Sequence, residues 1–144
     1  MLLEGVAPEL LQPPVSCMRL ALHPDGMAPR IINLAEWRAH LLHRLERQLA
    51  LTGDERVVEI RDEVLEYSTP PSPPPKSNHA IPASGDVMVS LKLRSEHGDL
   101  SFFSTVTTFG TAVDITVSEL SIEAFFPADA QTAAVLTAVA ASAD

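Results

Sequence analysis

Apolar and polar positions change period once along this chain. Between about Leu34 and Leu51, Leu34, Trp37, Leu41, Leu42, Leu45 and Leu49 recur at spacings of three and four. That spacing places one apolar stripe on one face of a helix. Asn33 followed by Glu36 predicts a capping-box-like start, with Asn where Ser or Thr is usual, and Gly53 predicts the stop. A second helix, about Asp54 to Tyr67, carries Val57, Ile60, Val64 and Leu65 on one side, and the short link makes the two an antiparallel hairpin. Upstream, Ala7–Gln12 and Ser16–His23 read as shorter helical pieces separated by Pro13-Pro14, with an extended conformation open as the alternative for Ser16–His23.

After residue 85 the period becomes two. Val87, Val89, Leu91 and Leu93 alternate with Met88, Ser90, Lys92 and Arg94, which predicts a strand with one buried face. His97-Gly98 turns the chain into a second strand, Leu100–Phe109, rich in Phe, Val and Thr. Gly110 turns it into a third, Ala112–Phe126. Within that strand the apolar phase slips, from Val113, Ile115 and Val117 to Leu120, Ile122 and Ala124, which predicts a bulge near Ser118-Glu119. Pro127 closes the strand, and a terminal helix runs from Ala128 to about Ala141 with Ala134, Val135, Leu136 and Val139 to bury. Between the two regimes, residues 68–84 hold six of the twelve prolines and read as an extended connector. The expected fold is α+β: a three-stranded antiparallel meander packed with an N-terminal helical hairpin and a C-terminal helix, in one domain spanning residues 1–144.

Composition narrows the function. The chain has 10 Lys and Arg against 19 Asp and Glu, a formal net charge of −9. Phosphate binding needs a clustered basic footprint, so direct contact with nucleic acid is not expected, nor is binding to an anionic membrane surface. Cys17 is the one cysteine, which excludes an intramolecular disulfide and a thiol-based zinc set. Neither a signal peptide nor an apolar run of membrane-spanning length is present, and a cytoplasmic location is the default expectation.

Chemistry-bearing motifs are sparse. His40 and His43 lie three apart on the main helix near Glu36 and Glu46, a helical ligand spacing, yet two ligands do not make a metal site. His23-Pro24-Asp25-Gly26 reads as an acid–base pair or as an ordinary turn. There is no nucleophile elbow and no Gly-rich phosphate loop. No enzyme, metal or cofactor is expected. The apolar inventory of the strands serves first to fill a core and secondly to line a small pocket between helix stripe and sheet.

Several segments together resemble a known family. They are Pro13 through Gly26, with its Leu22-His23-Pro24-Asp25-Gly26; Ala28-Pro29-Arg30-Ile31; Asn33 through Leu42, with its Glu36-Trp37-Arg38-Ala39-His40; Gly98 through Ser104; and Glu119 through Asp129. The chain resembles, from about residue 3 to residue 137, the MmyB-like ligand-binding domain of bacterial helix-turn-helix (XRE-type) transcription regulators. Ser16 stands where that family commonly has Asn, and Ala112 where it commonly has Pro. The resemblance implies a PAS-like fold and a cavity for a fatty acid or similar apolar small molecule, with DNA read by a separate N-terminal domain. Neither a helix-turn-helix nor the strand pair that opens a PAS-like domain is recognisable, so the sequence reads as N-terminally truncated, with an exposed strand edge that invites a homodimer.

Those expectations place the ligand site. Its walls would come from Trp37, Leu41, Leu91, Leu93, Phe102, Val106 and Ile122. Arg30, in the loop entering the long helix, would take an acyl carboxylate, or else would pair with a neighbouring carboxylate of the chain. Two rivals to a ligand-sensing domain are a dimerisation module without a small-molecule ligand and a small enzyme built on His40 or His43.

Overall fold

The computed structural model describes residues 3–68, 89–108 and 121–142. A short 3-10 turn at Pro8–Leu11 precedes helix α1, Cys17–Leu22. The Ser16 hydroxyl accepts the Arg19 backbone N–H and starts α1, which settles the helical alternative for this segment. The Ala7–Gln12 piece forms only one 3-10 turn, because Pro13-Pro14 ends it before a full α-turn can form. Helix α2, Leu34–Thr52, and helix α3, Glu55–Glu66, form the expected hairpin. Gly53 joins them in the left-handed region at φ 62°, where a side chain is strained, and its N–H caps the Leu49 carbonyl.

The periodicity of α2 survives folding. Leu34, Trp37, Leu41 and Leu45 are buried, and from α3 Val57 and Val64 close against the hairpin. Arg38 locks the far end of α3, donating to the carbonyls of Val64 (2.9 Å), Leu65 (3.2 Å) and Tyr67 (3.0 Å). Helix-terminal carbonyls lack intrahelical partners, so a guanidinium placed there satisfies several of them at once. A second tie fixes α1 to α3. Arg19 forks onto Glu63 at 2.6 to 2.9 Å, and the Tyr67 hydroxyl donates to the same carboxylate.

Three strands make one antiparallel sheet in the order β1 (Leu91–Ser95), β2 (Gly98–Thr108) and β3 (Ser121–Pro127). Leu91 pairs with Phe102 and Leu93 with Leu100, so alternate residues of β1 and β2 enter the core. Val87, residues 109–120 and with them the anticipated bulge near Ser118-Glu119 lie outside the described residues, as does most of the proline-rich stretch. Residues 31–33 lie along the free side of β1: Ile31 bridges Leu93, and the Ile32 N–H donates to the Lys92 carbonyl.

Helix α4, Ala130–Ser142, starts where Asp129 accepts the Thr132 backbone N–H at 2.7 Å. It shelters the end of β2: the buried Thr132 hydroxyl accepts the Ser101 N–H, and the Ser101 carbonyl accepts the Ala128 N–H. Of its four anticipated core residues, Val135 and Leu136 pack partly buried on the core, while Ala134 stays exposed. The architecture is the α+β arrangement anticipated from the pattern.

Candidate functional site

Five of the expected wall residues meet. Trp37 and Leu41 from α2, Leu91 and Leu93 from β1 and Phe102 from β2 are buried in one cluster that also takes in Leu100 and Val64. Each fills space for the others there. Val106 and Ile122 are not brought into that cluster. Val106 shares the α2-facing side of β2 with Phe102 but lies beyond the helix cover and is 46% exposed. Ile122 pairs with Thr107, which turns it to the opposite side of the sheet, and it is 51% exposed.

Arg30 sits elsewhere. It ends a 3-10 turn at Ala28–Arg30 and donates to the main-chain carbonyls of Arg94 and Glu4, both at 3.2 Å. Around it is an open depression of about 300 Å³ lined by Glu4, Arg30, Arg94, Ser95 and Glu96. Five polar residues line it, although their stems contribute much of its surface, and none of the buried core residues reaches it. The guanidinium ties the N-terminal segment to the end of β1.

His23-Pro24-Asp25-Gly26 is a built turn. The His23 ring nitrogen accepts the Asp25 N–H, and the His23 carbonyl accepts the Gly26 N–H. A Cβ on Gly26 would meet the Leu20 carbonyl oxygen at 2.5 Å, which is why glycine is needed there. The His23 ring packs edge-on against Tyr67. Burial and the bond to Glu63 push the Tyr67 phenol up to about 12, while the Arg19 fork holds the Glu63 carboxyl below its ordinary range.

The α2-facing side of the sheet is covered unevenly. Over β1 and the first half of β2 it is sealed by the apolar stripe of α2. Toward β3 the cover changes character: Val106 and Phe125 face the same side and are 46% and 48% exposed. Glu123 stands opposite Val106 and two residues before Phe125 on the same side of the sheet, and from α2 Arg44 reaches it with Nη1 at 2.8 Å from one carboxylate oxygen and Nη2 at 3.4 Å from the other. His40 completes the margin, its ring stacked on Trp37 at 5.4 Å between centroids. Burial first, and then the Arg44 charge, lowers the His40 pKa, so the imidazole favours its neutral form. The Trp37 indole N–H is buried without a hydrogen-bond partner among the described residues.

Arg44 and Glu123 were passed over in the sequence, although half the signal was present. Arg44 lies seven residues after Trp37 and three after Leu41, which puts it on the apolar stripe. A lone cation on such a stripe calls for a partner on the facing element, 79 positions away in this fold. His43, by contrast, is exposed, so the histidine pair does not converge. Among the described residues no three His, Cys, Asp or Glu side chains are grouped to hold a metal ion.

A family model described as "MmyB-like transcription regulator ligand binding domain" matches residues 1–139. The chain belongs to that family. Comparison with curated proteins and with solved structures returned no match. MmyB-like ligand-binding domains are regulator modules and not an enzyme family. Among the described residues no helix is long and apolar enough to cross a membrane.

Proposed function

We propose that this MmyB-like domain is the ligand-sensing part of a bacterial transcription regulator and takes an apolar, fatty-acid-like small molecule. DNA is read by a separate XRE-type helix-turn-helix domain, and the regulator works in the cytoplasm. The observation that carries the proposal is the half-covered apolar strip of Val106 and Phe125 beside Arg44, on the side of the sheet that α2 faces. Apolar surface bordered by a few convergent polar groups is the usual make-up of a small-molecule site. Ligand binding there would favour one packing of α2 on the sheet, and a shift in that population would pass to the DNA-binding part. The buried cluster of Trp37, Leu41, Leu91, Leu93 and Phe102 forms the floor behind the strip, and Ile122 and Arg30 contribute to other surfaces.

A second function, dimerisation without a small molecule, is favoured by one observation. Among the described residues no strand pairs with β3 on its side away from β2, and Ile122 and Phe126 are exposed next to that edge. Free edges bearing apolar side chains accept another strand. Native mass spectrometry of the chain, before and after exposure to a mixture of fatty acids, separates the two. A retained acyl chain on a monomer or dimer supports sensing; a bare dimer that takes up none supports the interaction module and ends the sensing proposal.

A further inference from the structure

We propose that two copies of this chain join along the free edge of β3, antiparallel and with Ala124 of each copy on the two-fold axis, so that their sheets become one. The proposal rests on the dimerisation named above and gives it an interface and a register.

Backbone polarity fixes which groups are available. The Ser101 carbonyl takes the Ala128 N–H, so at alternate residues back along β3, at Phe126, Ala124 and Ile122, the N–H and C=O also turn to β2. Those of Glu123 and Phe125 point out of the sheet, and among the described residues nothing bonds them. A second β3 can set Glu123 against Glu123, Phe125 against Phe125, or the two crossed. The first places like charges directly opposite. The second sets Glu123 against Pro127, which has no N–H to return. In the crossed register Glu123 and Phe125 exchange both bonds with Phe125 and Glu123 of the second copy, on either side of Ala124.

Side chains and charge suit the same register. On the side of the sheet away from α2, Ile122 meets Phe126 of the second copy, twice by symmetry, at the closer spacing of a non-hydrogen-bonded pair. Both are exposed in the single chain, 51% and 44%. Phe126 already stacks on Phe103 at 5.4 Å between centroids, so the pairing runs one apolar row across both copies. The chain has a formal charge of −9, yet β3 carries one charged side chain, Glu123, and Arg44 takes it up at 2.8 Å. Uncompensated charges are what keep many natural edges apart, and here two acidic chains meet on a neutral strip.

The test uses the full chain. Light scattering on the eluate of a size-exclusion column, over a concentration series, should show monomer giving way to dimer. In a Cys17→Ser background, which removes the exposed native thiol, Ala124→Cys should form an intermolecular disulfide on mild oxidation. Facing Cα atoms of a non-hydrogen-bonded pair lie about 4.5 Å apart, within disulfide reach. Ile122→Cys should not link, because its counterpart lies farther along the strand and Phe126 faces it instead. Ile122→Lys should weaken dimerisation by about tenfold or more with circular dichroism unchanged. A monomer at every concentration overturns both the pairing and the dimerisation it rests on. A dimer in which Ala124→Cys does not link, or Ile122→Cys links equally, overturns the pairing and leaves dimerisation standing. Should Ala124→Cys not fold, Ile122→Lys decides alone: undiminished dimerisation overturns the pairing.

Discussion

The side-chain amide of Asn33 reads the backbone of β1, accepting the Lys92 N–H at 3.0 Å and donating to the Ser90 carbonyl at 2.8 Å. Asn33 precedes α2, where the sequence places a helix cap, yet its side chain makes no capping bond to the helix backbone. It acts instead as a short piece of strand, extending the pairing begun by Ile31 and Ile32. Asn33→Ala would leave both main-chain groups without this partner. We expect a loss of about 1–3 kcal/mol in urea unfolding, with Asn33→Asp intermediate because only the acceptor is kept. A loss confined to a few tenths would mean that water replaces the amide without cost.

Glu63 should set an acid limb of stability. The hydrogen bond from Arg19, aided by Tyr67, holds its carboxyl below 4.5, against the opposing effect of burial. A depressed carboxyl favours the folded state fully at pH values above its unfolded pKa, and that contribution fades as pH falls through the folded value. The fork is partly exposed, so its worth near neutrality is at most about 1 kcal/mol. Unfolding of the wild type and Glu63→Gln should therefore differ near neutral pH and converge in strong acid. A gap that widens on acidification would reverse the assigned direction.

Trp37 is only 3% exposed and anchors the middle of the α2 stripe. Trp37→Ala should cost about 3–5 kcal/mol, as large truncations in packed cores do. Trp37→Phe should cost less, because it also deletes the unpartnered indole N–H. Chemical denaturation of the two variants checks the order.

Thr132 joins α4 to β2 through a single buried hydroxyl. Thr132→Val keeps the shape but leaves the Ser101 N–H without its acceptor, and should cost about 1–3 kcal/mol. Thr132→Ser keeps the acceptor and should lose less. Faster amide exchange at Ser101 in the Val variant is the specific signature.

Duplex DNA should not bind this chain measurably at physiological salt. Its formal charge of −9 opposes phosphate contact, and no basic stripe offsets it. Sub-micromolar retardation in a mobility-shift assay would place DNA recognition within these residues.

Local pattern by itself determined the two long helices of the hairpin and the strand alternation. The stripe from Leu34 to Leu45 and the two-residue period of Leu91 and Leu93 are dictated by backbone geometry, which is the same in any fold. The motif from Leu22 to Gly26 and the block from Glu36 to Leu42 likewise carried the family resemblance without any contact being known. Asn33, Ile122 and Arg30 were decided by tertiary structure. Cap or strand surrogate, near face or far face, mouth of a pocket or clip on a carbonyl: each depends on which distant segment arrives beside the residue. The pairing of Arg44 with Glu123 is the plainest instance, since half of it lies on α2 and half on β3. Helical spacing put the cation on the stripe, but only the register of β3 against β2 brought a carboxylate to face it.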